Sequence, residues 1–381
     1  MHSLTSLGGT VPLSHLVDSE GVARLRISDD ITVGRPEETV FSNPLAVQRL
    51  LTLASMVDHL VIAWEKDAAD KLLDSPSIYP LVAVLVCLKN AKQELDGLSE
   101  ADCQTRITGA RRNALGYRLK SDVFADCQIA ICADSLGYSR CPDFYDQDGG
   151  ELLRGEDMEA LVEDVIMPHI QVSGRGALYH SRLAISSIIS ELFENTHLHG
   201  RTKLDNRIVA PNCIRGLIVR RVSLHRGGTS LSKKEARPSF GLELSVFDCG
   251  IGYYTAFSRQ ELDASIKLDD EWRVVQECLR RHYDDPLPDS RLTHHGLGLY
   301  KVLRAIKIMK GRFELRTGRI HGYRSFLEGE IPLQLEPEDS TERPGMPKPV
   351  LLDSARKYLA KPTKHEMLVG AVVSVVLPLE S

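Results

Sequence analysis

The stretch Ile185-Ser-Ser-Ile-Ile-Ser-Glu-Leu-Phe-Glu-Asn-Thr-His-Leu-His-Gly200 decides how this chain is read. Leu183, Ile185, Ile188, Ile189, Leu192 and Phe193 recur at spacings of two to four, the mark of one apolar side of a helix. Glu191, Asn195 and His199 then fall in a row on another side, at i, i+4 and i+8. A carboxylate, a carboxamide and an imidazole in line supply a proton acceptor, an oxygen ligand for a hard divalent cation and a donor to an anion. Gly200 ends the helix. Taken alone, the segment also suits an amphipathic helix whose polar side faces water.

Two motifs downstream change its weight. Ser245-Val-Phe-Asp-Cys-Gly-Ile-Gly252 is an apolar strand running into Asp248-x-Gly250-x-Gly252, and His294-His-Gly-Leu-Gly-Leu-Tyr300 is a glycine turn leading into a helical pattern. Each alone is an ordinary tight turn, but the three in this order form a specific set.

That set resembles the motifs of the histidine-kinase-like (Bergerat-fold, GHKL) ATPases, which include sensor kinases, anti-sigma-factor serine kinases, type II topoisomerases, mismatch-repair proteins and a heat-shock chaperone. Glu191-x-x-x-Asn195-x-x-x-His199-Gly200 is similar to the N box of that family, Asp248-x-Gly250-x-Gly252 to its first glycine box, and Gly296-Leu297-Gly298-Leu299 to its second. The His-Gly ending is closer in style to the sensor-kinase and anti-sigma-kinase branch. The resemblance spans residues 175–333. It implies a two-layer α/β sandwich there, a mixed sheet with helices on one face, carrying a basic insertion at 201–237 and a mobile lid over the nucleotide at 253–293.

The resemblance also assigns roles. Asn195 becomes the magnesium ligand, Asp248 the acceptor for the adenine amine, and Glu191 the general base, with Glu194, off the row, ranked second. Gly250 and Gly252 let the backbone approach base and ribose, and Gly296 and Gly298 turn backbone N–H groups toward phosphates. Where relatives often begin the second box with glycine, this chain has His294-His295, so His295, with His199, becomes a candidate imidazole donor beside Leu297. The implied ligands are ATP and Mg2+. The implied activity is hydrolysis that switches the conformation or assembly of a complex. A serine/threonine or atypical histidine kinase acting on a partner, and a nucleotide sensor or scaffold without turnover, are the alternatives. A sensor histidine kinase needs an acceptor histidine on an earlier helical hairpin, whereas His180 lies on the same expected helix as Glu191.

The remainder sets boundaries. A chain of 381 residues, 43% apolar and 26% charged, has material for two α/β domains, and its net charge of −5 argues against coating nucleic acid or anionic membrane through bulk charge. Residues 201–237 oppose that balance, with ten basic residues against two acidic. They read either as the solvated face of a strand pair or as a surface for an anionic partner. A protein partner or homodimer is expected. The apolar runs Tyr79–Leu88 and Leu368–Leu379 are too short to span a bilayer, and no signal-like leader precedes them. Eight cysteines are few for this length: Cys87 and Cys249 sit inside apolar runs, where a reduced thiol is the default, and Cys127, Cys132 and Cys141 lack the paired Cys-x2-Cys spacing of zinc sites. The expected setting is cytoplasmic, without membrane.

Along the chain, strands are expected at Ala23–Ser28 and His59–Trp64. Helices are expected at Pro44–Val57 and Ile78–Leu95, with an apolar element of open type at Val123–Ala133. These compose a separate domain over 1–150 that senses, docks or oligomerises, closing in the loop Asp143–Gly150. A connecting helix within 151–174 follows, starting near Gly155. Beyond the N box, Ile214–Val222 reads as a strand, Asp269–Arg281 as a helix, Leu299–Lys310 as a helix and Arg312–Thr317 as a strand. Two Leu-Pro-Leu-like endings compete. The expectation is that Ile331-Pro-Leu333 closes the ATPase sheet and that 334–381 is a Pro-rich linker with an added strand ending at Leu379.

Overall fold

Strand and helix alternate from the start of the chain, and the strands form a parallel sheet. The computed structural model describes residues 1–9, 11–28, 40–121, 127–146, 150–169, 175–224, 239–279, 298–327, 351–356 and 361–378. In chain order come β1 (His2–Ser3), β2 (Val22–Ile27), α1 (Pro44–Met56), β3 (His59–Trp64), α2 (Lys66–Leu73), α3 (Pro80–Cys87), β4 (Ala91–Leu95) and α4 (Glu100–Leu115). β1 to β4 lie side by side, every pair parallel. β2 alternates strictly: Ala23, Leu25 and Ile27 are buried, while Arg24 and Arg26 face solvent.

Local chemistry sets most of these ends. Asn43 Oδ1 accepts from Leu45 N at 2.9 Å with Pro44 opening α1, and Ser99 Oγ accepts from Asp102 N at 3.2 Å to open α4. The helix expected over Ile78–Leu95 ends early, at Cys87. Asn90 turns the chain by donating to Ala54 O and Val57 O, and Ala91–Leu95 then pairs with β3. Pairing to a neighbour overrides local helical spacing here.

The second half builds β5 (Gln128–Ala133), α5 (Gly155–Val165), α6 (Arg175–Leu198), β6 (Ile214–Leu224), β7 (Ser239–Asp248), α7 (Gly252–Ser258), α8 (Leu268–Cys278), α9 (Gly298–Ile308), β8 (Arg312–Gly318), β9 (Ile320–Ser325), β10 (Leu352–Asp353) and β11 (Leu368–Pro378). The seven-stranded sheet has the order β10-β9-β8-β11-β7-β6-β5, and every pair is antiparallel rather than mixed.

Four expectations about organisation are corrected. β5, assigned to the first domain, is fully buried and pairs with β6, so the sheet begins before the loop at 143–150. β11 is no appendage: it is inserted between β7 and β8, near the middle of the sheet. The competing Ile331–Leu333 lies outside the described residues. Nor is the first region separate, or the sheet covered on one face only. α6 packs on one face with α5 and α9, while α1 packs against β11 and β7, and α3 against β5 and β6, on the other. α1 and α3 share one continuous core with the inner face of the parallel sheet. The reason is visible in α3. All eight of its residues, Pro-Leu-Val-Ala-Val-Leu-Val-Cys, are buried, and a helix apolar all round must be enclosed. Truncating Leu81 or Leu85 there to alanine should cost about 2–5 kcal/mol.

Candidate functional site

The glycines of the motifs mark where the elements meet. Gly200, just past α6, lies against the end of β7: a β-carbon there would fall 2.6 Å from Asp248 Cβ and 2.9 Å from Thr196 Cα. Gly250 meets Gly200 face to face, since its own β-carbon would lie 2.5 Å from Gly200 Cα. No residue with a side chain fits either position without displacing backbone. At the other end of the row, a β-carbon on Gly298, the first residue of α9, would lie 2.6 Å from Glu191 Oε2. Glu191 to His199 spans about 12 Å of helix. The helix α6 therefore has the first glycine box at one end of its polar row and the start of α9 at the other.

Asp248 ends β7 on the α6 side of the sheet. Its Oδ1 accepts from Gly250 N at 2.8 Å. Burial pushes its carboxyl up to about 6, against the opposing pull of the Gly250 and Ala371 amides and of Arg215. The loop behind it is tied to two strands. Gly370 N donates to Gly250 O at 3.0 Å, Tyr253 N donates to Thr317 Oγ1 at 3.2 Å, and Thr317 Oγ1 donates to Gly370 O at 3.1 Å. Gly252 sits at φ +70°, the left-handed region that favours glycine.

Glu191 is ion-paired with Lys301 of α9, Oε1 to Nζ at 2.6 Å. Glu194 pairs instead with Arg154 at the start of α5. Asn195 and His199 are half-buried on the same side of α6. His294, His295, Gly296 and Leu297 lie outside the described residues, so Gly298 alone of the second box is placed.

Sequence reasoning missed Lys301, Thr317 and a buried network beneath the row. Arg215, with no exposure, donates from Nε to Asp134 Oδ2 at 3.0 Å and from Nη2 to Tyr145 Oη at 2.8 Å; Tyr145 Oη and His197 Nδ1 are 2.9 Å apart. Burial, then Arg215 and Arg201, push the His197 imidazole down to about 4. His197 has the wrong register for the row, and only the fold shows that it faces a polar interior. Lys301 had a signal: a lysine one turn inside a helix that starts at a glycine box.

Two other expectations change. Within the segment assigned to a mobile lid at 253–293, α8 is anchored in the core, while residues 259–265 before it are exposed or half-buried. In α8, Trp272 is buried, Glu271 is ion-paired with Arg319 at 2.7 Å, and Gln276 bonds both the N–H and the C=O of Leu351. Of the basic segment 201–237, Arg215 is buried against Asp134, and Arg220 pairs with Glu243 inside a cleft, so neither belongs to an outward basic surface. Residues 225–238 lie outside the described residues.

The donor set bears on magnesium. Among the described residues no group of three or more His, Cys, Asp or Glu is placed to hold a metal ion. The row's carboxamide suits an ion that arrives with phosphate and water as its other ligands, the usual manner for Mg2+. Among the described residues no helix is long and apolar enough to cross a membrane. All eight cysteines are free thiols. Comparison of the chain with protein-family models, with curated proteins and with solved structures finds no match in any of the three.

Proposed function

We propose that the surface between α6, the end of β7 and the start of α9 is an adenine-nucleotide site of the histidine-kinase-like ATPase type, and that it hydrolyses ATP. One observation carries the reading. Residues from three stretches far apart in the chain meet along one polar row of α6: Gly250 packs on Gly200 with no room for a β-carbon, and Gly298, the described residue of the third stretch, lies against the Glu191 carboxylate. The distance along that row, about 12 Å, suits a molecule with a base at one end and phosphates at the other.

In this reading the Asp248 carboxylate accepts from the adenine amine. Its oxygen stays fixed by Gly250 N, and burial strengthens the bond. Gly250 and Gly200, packed on each other without side chains, hold the end of α6 close against Asp248. The backbone N–H groups opening α9 face anionic oxygens, Asn195 offers one oxygen to a magnesium ion, and Lys301 neutralises charge near them. Glu191 takes the proton of an attacking water. Its bond to Lys301 fixes the carboxylate at the α9 end, where the phosphates would lie.

The reading is tested by competing ATP against GTP. The wild type should prefer ATP, because the guanine carbonyl would face the Asp248 carboxylate with no proton between them. Asp248→Ala should weaken ATP roughly ten- to a hundredfold, the worth of a charge-assisted hydrogen bond, and change GTP little. Equal wild-type affinity for the two nucleotides would overturn the reading.

A further inference from the structure

On the opposite face of the seven-stranded sheet, where α1 begins, the packing opens into a cleft of ≈ 290 Å³. Its floor is β11, which presents Val372, Ser374 and Val376. On one side of the floor, Arg220 of β6 holds Glu243 of β7, Nε to Oε2 at 2.9 Å and Nη2 to Oε2 at 2.7 Å. On the other side, β8 and β9 bring Glu314, Arg316 and His321, with His321 Nε2 and Glu314 Oε1 2.6 Å apart. Strands lie about 4.8 Å apart, so the two charged walls stand roughly 10 Å from each other across β11. Asn43–Leu45 close the cleft from the α1 side.

Charge in such a place needs a reason. Elsewhere this face meets the helices through apolar residues such as Ile218 and Phe247, and ion pairs taken out of water cost desolvation. Arg316 is the sharper case. It is 5% exposed, and its guanidinium donates to the main-chain oxygens of Gly318, Ile320 and Glu366. Among the described residues no carboxylate forms an ion pair with it. Glu243 is 6% exposed, while Ser374 and Val376 on the floor between the walls stay partly open.

Two guanidiniums, Arg220 and Arg316, and two carboxylates, Glu243 and Glu314, balance the charge of the lining, and that balance bears on the ligand class. A simple anion would meet Glu243 and Glu314, and a simple cation would meet Arg220 and Arg316. Among the described residues no cluster of three His, Cys, Asp or Glu is placed to hold a bare metal ion. A zwitterion meets both signs at once, its carboxylate toward a guanidinium and its ammonium toward a carboxylate, with an apolar body over Val372, Val376 and Leu45. The volume is at the small end for ligand sites, too small for a nucleotide or a peptide. We infer that this cleft binds a small zwitterion with an apolar side chain, the chemistry of an apolar α-amino acid. The inference does not depend on the nucleotide reading, because no cleft residue belongs to the α6 row or the glycine boxes.

Calorimetric titration of the full chain with alanine, valine, leucine, methionine and phenylalanine tests it, beside 4-methylpentanoate and 3-methylbutylamine, which keep the leucine skeleton but lose one charge each. At least one amino acid should bind saturably, and each single-charge analogue should bind roughly tenfold or more weakly than leucine. Val376→Phe, which fills the floor at a partly open position, should abolish binding. Arg220→Gln should weaken it about tenfold while the unliganded variant keeps a cooperative melt. Saturable binding by none of the five, equal binding by an analogue, or undiminished binding in a folded Val376→Phe variant would each overturn the inference.

Discussion

The two faces of the seven-stranded sheet carry polar groups in contrasting ways. On the α6 face the groups sit at the rim, supplied by short contiguous motifs and brought together by glycine contacts. On the α1 face they sit in mid-sheet, one or two per strand from β6, β7, β11, β8 and β9, and no two strands' contributions are adjacent in sequence except those of β8 and β9. A rim site can be written as a motif because a turn sets its geometry. A mid-sheet site is written in register, and register appears only when strands pair.

The largest effect should separate the faces by chemistry. Glu191→Gln keeps shape and removes the proton acceptor, so ATP turnover should fall roughly 10²–10⁴-fold with ATP affinity nearly unchanged. Amino-acid binding in the cleft should be untouched. Full turnover in a correctly folded variant would remove Glu191 from the chemistry, with Glu194 the next to test.

Next in size is the proposed contact of Asn195 with magnesium. Asn195→Ala should lower ATP affinity roughly ten- to a hundredfold in magnesium and much less in EDTA, with an unchanged melting temperature. An equal loss under both conditions would show that Asn195 touches nucleotide rather than metal.

Gly200→Ala probes packing alone. Its methyl group would press on Asp248 and on the Thr196 backbone, so thermal or urea unfolding should show a loss of about 1–3 kcal/mol. A neutral result would mean that the contact between α6 and the first glycine box is looser than the geometry requires.

The smallest effects are acid-linked, and they have opposite signs on the same face. His197 is pushed from 6.5 down to about 4, so its contribution to stability is present above pH 6.5 and is lost as pH falls toward 4. Asp248 is raised from 3.8 to about 6, so the native state binds the extra proton, and stability falls as pH rises from about 4 to 6. The two should largely offset each other in the wild type. His197→Gln should therefore gain stability on acidification from pH 6.5 to 4, and Asp248→Asn should lose it, each by about 1–2 kcal/mol. Urea unfolding at several pH values reads both slopes. Parallel slopes in the two variants would break the argument.

The amino-acid sequence by itself determined the periodic elements. α1, α5, α6, α8, α9, β2, β3, β6, β7 and β8 were legible from apolar spacing and from the glycines that end helices, because those signals act within a turn or two of the chain. It also placed Glu191, Asn195 and His199 on one side of one helix, since 3.6 residues per turn is a property of the backbone alone.

Tertiary structure decided the rest. Ala91–Leu95 became a strand because β3 offered an edge, and β11 took a central place because β7 and β8 left one open between them. Lys301 met Glu191 only when α9 packed on α6, and Arg215 found Asp134 and Tyr145 only inside the closed core. The cleft under α1 draws one to three residues from each of five strands, so its chemistry exists in no window of sequence. Pairing, burial and charge compensation are long-range terms, and they acquire values only once the chain has closed on itself.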